Sequence, residues 1–84
     1  MRNELLTINH TEAHLLHEAI NYAKRYGRID GDGCRNVSMS YAAFARKFGH
    51  VDDLRGTIDR IEAAYDRIGF FLMPGYVVIS HFGR

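Results

Sequence analysis

The stretch GFFLMPGYVVIS, residues 69–80, constrains this chain more than any other. Two apolar, β-prone runs flank Pro74 and Gly75, a pair suited to the middle of a turn, so the segment is expected to fold back as a hairpin. A two-residue hairpin loop favours primed turns, which proline opposes, so a slightly longer loop is expected. An isolated hairpin is marginal in water and needs a partner for its apolar face. The rest of the chain must supply that cover.

Three upstream segments have helical spacing. Asn9 and Glu12 stand at capping-box distance and open a helix over residues 10–26. Leu15, Leu16, Ala19, Ile20, Ala23 and Tyr26 fall on one face of it, and Gly27 is expected to stop it. A second helix is expected over 40–48, capped by Ser38 or Ser40, with Tyr41, Phe44, Ala45 and Phe48 inward. After a tight Gly49-His50 link, a third helix is expected over 51–68. Leu54, Ile58, Ile61, Tyr65 and Ile68 recur there at alternating steps of four and three. RIDGDGCRNVSMS, residues 28–40, reads as a turn and then a short strand near Asn36–Met39.

Residues 1–9 form an N-terminal arm in which Leu5, Leu6 and Ile8 can pack onto the body. Residues 10–84 then make a single small α+β domain: three helices, a short strand and a C-terminal β-hairpin. At 84 residues one domain is expected. It would bury only about 60–65% of its unfolded surface, which leaves a thin stability margin.

Composition narrows the function classes. Apolar residues are 46% and charged residues 25%, which is globular and not disordered. Net charge is +1, so any nucleic-acid binding must come from a local patch. The lone Cys34 excludes an internal disulfide and fits a reducing compartment. The beginning, MRNELLTINHTE, has no apolar leader, and no run approaches the ~20 apolar residues of a membrane helix. The expectation is a complete, soluble, cytoplasmic gene product with no membrane partner.

The order helix, short strand, helix, helix, hairpin resembles a winged helix-turn-helix domain over about residues 10–82. Ala45 and Gly49 carry the best local match. A small residue there lets two helices touch, and the glycine permits a left-handed turn. Phe44, Phe48 and Ile58 fall where the family is apolar, whereas Arg55 stands where an apolar residue is expected, with Leu54 one place earlier. The resemblance implies DNA binding by a prokaryotic, phage or plasmid transcriptional regulator. Arg55, Thr57 and Arg60 would then approach bases or phosphates. Lys24, Arg25, Arg28, Arg46 and Lys47 would hold the backbone. So few cations in one module imply a homodimer for useful affinity.

The charge layout argues the other way. Asp52, Asp59 and Asp66 are spaced by seven and would draw a negative line along the third helix, repelling phosphates. Gly56 would permit a close approach. Between Phe70 and Ile79 there is no Lys or Arg, and an exposed Phe71, Met73 or Tyr76 would suit a protein contact. A protein-binding module or inhibitor is therefore the alternative, using the apolar wing or the acidic third helix. Anti-CRISPR proteins and other small phage inhibitors have this size and compactness. A coherent basic face is expected on the first helix, from His10, His14, His17, Asn21, Lys24 and Arg25, continued by Arg28, with Glu18 near its edge. Its charge would grow below about pH 6.5.

No enzyme signature emerges, and no cofactor is implied. The three histidines share a face but lack a nearby fourth ligand for zinc. DGDG at 30–33 places Cys34 where a calcium loop needs an oxygen ligand. Cys34 has no base positioned by the sequence to activate it.

Overall fold

The computed structural model describes residues 9–82; the expected N-terminal arm lies outside them, apart from Asn9. The elements in order are α1 (His10–Tyr26), β1 (Arg28–Ile29), β2 (Arg35–Ser40), α2 (Tyr41–Phe48), α3 (Leu54–Ala64), β3 (Ile68–Met73) and β4 (Tyr76–His81). The four strands form one antiparallel sheet in the order β1-β2-β4-β3. Among the described residues the fold is a small α+β domain of three helices on one sheet.

α1 starts where its capping box places it. The Asn9 side chain accepts from the Glu12 N–H at 2.8 Å, and the Glu12 carboxylate accepts from the Asn9 N–H at 3.0 Å. Ser40 caps α2 by accepting from the Ala43 N–H at 3.1 Å. Gly49 has φ 93°, outside helical space, and ends α2 while its N–H still donates to the Ala45 carbonyl.

Several expectations need correction. The sheet has four strands, not a single strand plus a hairpin, because Arg28–Ile29 pair with Arg35 and Asn36 as β1. A two-residue strand is too short to show any periodicity. The Asp30 carboxylate organises the loop behind it, accepting from the Asp32 and Cys34 N–H groups and the Asn36 amide. These bonds hold the Asp30 carboxyl below its usual range, the Asp32 N–H contributing most.

α3 covers 54–64 and not 51–68. Residues 49–53 link it to α2, with Val51 packed on the core and Asp53 capping the Gly56 N–H at 3.1 Å. At the other end Tyr65 is already extended (φ −145°, ψ 114°), and Ile68 opens β3. Tyr65 and Ile68 therefore continue the apolar stripe as strand-side residues. The hairpin loop is the two residues Pro74 and Gly75, shorter than expected. Gly75 takes φ 86°, which a type II turn demands at its second central position, and proline suits the first.

The core lies between α1 and the inner face of the sheet. α1 contributes Leu15, Ala19 and Ala23; α2 contributes Phe44; α3 contributes Ile58 and Ile61. Phe70, Val77 and Ile79 meet them from the sheet. The opposite face of the hairpin carries Phe71, Met73 and Tyr76, at 48%, 38% and 42% exposure. Among the described residues no helix is long and apolar enough to cross a membrane.

Candidate functional site

α1 and α2 converge at their C-terminal ends and leave an open cleft of about 940 Å³. Lys24 and Arg25 line it from the last turn of α1, and Lys47 from the last turn of α2. Cations are favoured at helix C-termini, so this sequence placement is also locally stable. The floor is aromatic. Tyr22 meets Tyr26 at 4.7 Å between ring centroids and forms a T-shaped pair with Phe48 at 5.9 Å. Phe48 in turn meets Phe44, and Phe44 meets Phe70 in the core. A row of rings thus runs from the sheet to the surface. The Lys47 ammonium stands over the Tyr22 ring, 5.1 Å from its centroid. Glu18 is the one carboxylate among the described residues lining the cleft.

Of the eight cation-face and base-reading candidates, the structure gathers Lys24, Arg25 and Lys47 at one place. Arg28 and Arg46 are exposed nearby in sequence, on β1 and α2, but do not line the cleft. Arg55 is exposed on α3. Thr57 is buried, so its side chain is a packing position and not a reading one. Arg60 is 48% exposed but its guanidinium is engaged within the fold. Its Nε donates to Glu12 Oε2 at 2.7 Å, and its Nη2 donates to Thr57 Oγ1 at 3.4 Å. Glu12 is 4% exposed, yet the Arg60 hydrogen bond holds its carboxyl below the usual range against the opposing push of burial. Gly56 serves the fold too, because a Cβ there would run into the Asp53 cap.

The line of aspartates does not form along α3. Asp52 precedes the helix and pairs with His50 at 3.0 Å; Asp66 follows the helix; only Asp59 lies on it. All three are exposed. His10, His14 and His17 are exposed along α1, with His17 facing the Asn21 amide at 3.3 Å.

Two features escape a reading of the sequence. Tyr26 completes the apolar face of α1 on paper but is 58% exposed, at the mouth of the cleft. Its i, i+4 spacing from Tyr22, beside Lys24 and Arg25, is the available signal. The second is His81, 3% exposed on β4, with neither ring nitrogen hydrogen-bonded among the described residues. Tyr65 stacks on it at 6.5 Å. Burial pushes its pKa down, and the charges of Lys24, Arg67 and Arg35 push the same way.

The unfolded chain takes up this proton near 6.5, while the folded domain resists it until lower pH. Stability is therefore full above about pH 6.5 and falls as the pH drops through the folded value. Urea unfolding at about pH 7.5 and about pH 5.5 should show that loss, and His81→Leu should flatten it. An unchanged pH profile in the variant would assign the effect elsewhere.

Comparison with known proteins finds no matching family, no matching curated protein and no matching solved structure.

Proposed function

We propose that this chain is a small nucleic-acid-binding domain of winged-helix type that holds phosphates with the C-terminal ends of α1 and α2. The observation that carries this reading is the cleft where Lys24, Arg25 and Lys47 meet over an aromatic floor. Three cations on two walls suit a polyanion, and a net charge of +1 requires such a local patch. The element order behind the winged-helix resemblance is present, with β1 added at the sheet edge. In this reading α3 is not the principal contact. Arg60 is paired, Thr57 is buried and Asp59 would face phosphate. The regulator role implied by the resemblance rests on the same contact.

A fluorescence-anisotropy titration with random duplex DNA, at low and moderate salt, tests the proposal. Affinity that falls steeply with salt is expected; salt-independent binding, or binding of neither the duplex nor a single strand, removes the reading.

The second reading, a protein contact, is favoured by the uncovered hairpin face. Met73 and Tyr76 are cross-strand partners, and Phe71 pairs with Val78 beside them. Exposed rings grouped this way suit a partner surface or a second copy of the chain. Sedimentation over a range of concentrations tests the self-association form. A dimer abolished by Phe71→Asp is expected, and a concentration-independent monomer removes it.

A further inference from the structure

We infer that the α1–α2 cleft takes an unpaired nucleotide of a single-stranded nucleic acid, its base laid on Tyr26 and the flanking phosphates against Lys24, Arg25 and Lys47. This rests on the nucleic-acid reading above and narrows it to a substrate class.

The cations alone do not distinguish strand types, because both carry phosphates. The aromatic floor does. Inside a duplex both faces of each base are covered by its neighbours, so an exposed ring has nothing to stack on. An unpaired base offers its face to any flat side chain. Tyr22 is already engaged by Lys47, Phe48 and Tyr26. Tyr26 touches Tyr22 on one side and is 58% exposed, so it is the ring left to receive a base. The cleft, about 940 Å³ and open, has room for a nucleotide. Asn21 lines it as well; its amide nitrogen faces His17, and its amide oxygen can accept from a base edge. Glu18 repels phosphate at its own rim, which directs the strand's backbone over the lysine and arginine end.

The test compares a labelled oligothymidine of about twelve nucleotides with a random duplex of equal length. The variants are Tyr26→Leu, which keeps apolar bulk against Tyr22 but lacks a flat face, and Tyr26→Phe. Thermal melts establish that both are folded. Tyr26→Leu should weaken single-strand binding about tenfold and duplex binding far less, while Tyr26→Phe retains both. Equal losses on the two probes, no loss on either, or duplex binding without single-strand binding would overturn the inference while the nucleic-acid reading stood. Binding of neither probe by the wild-type chain would overturn both.

Discussion

Arg60→Glu is expected to unfold the domain, not to remove a nucleic-acid contact selectively. The Arg60 guanidinium is the partner of Glu12, whose side chain is 5% exposed. Replacing it with a carboxylate sets two anions against each other, one of them cut off from water, with Asp53 and Asp59 also near. Arg60 itself is 48% exposed, but taking away the partner of a buried carboxylate leaves that charge uncompensated, and reversing the partner's charge is worse. Glu12 also closes the capping box at Asn9, so the start of α1 would loosen with it. The midpoint of thermal unfolding, followed by circular dichroism, should fall by more than about 10 °C, or the cooperative transition should be lost. Arg55→Glu is the control, on the same helix and exposed; its midpoint should barely move. Equal falls in the two variants would show that the pair is not an anchor.

The second large effect concerns the cleft. The triple variant Lys24→Glu, Arg25→Glu, Lys47→Glu should fold, since all three residues are exposed. A modest drop in stability is expected from placing acids in last turns, where the helix dipole disfavours them. Affinity for random duplex DNA should fall about a hundredfold at low salt. The slope of log affinity against log salt should shrink by about two to three, roughly one for each phosphate no longer neutralised. A variant with the wild-type slope would place the phosphate-binding cations elsewhere and end the case for this cleft.

Much of the architecture is legible in the sequence because it rests on local rules. The α1 boundaries follow from the Asn9–Glu12 box and the Gly27 stop, and the hairpin from its apolar runs around Pro74-Gly75. The errors come where two rules compete. The stripe through Tyr65 and Ile68 fits helical spacing, yet a residue opening a half-buried strand is apolar too. Only the packed sheet decides between them. A helical wheel for the third segment runs past both ends of the actual helix, and so draws Asp52 and Asp66 into a line they do not share.

The candidate site is less legible for a different reason. Lys24, Arg25 and Lys47 are visible as cations, but their meeting depends on how α2 lies across α1, which no local pattern encodes. Arg60 resembles a reading residue because its partner Glu12 is 48 residues away. Tyr26 reads as inward because it completes the apolar face of α1. The helix ends there, beyond the cover that α2 provides.

The file of rings from Phe70 through Phe44, Phe48 and Tyr22 to Tyr26 has one more consequence. Each ring is braced by the one beneath it, so the outermost is held in place before any ligand arrives. A preorganised surface gives up little conformational freedom on binding, so more of the stacking energy appears as affinity. The same bracing ties the cleft to the interior, so trimming Phe44 would loosen a surface that residue never reaches.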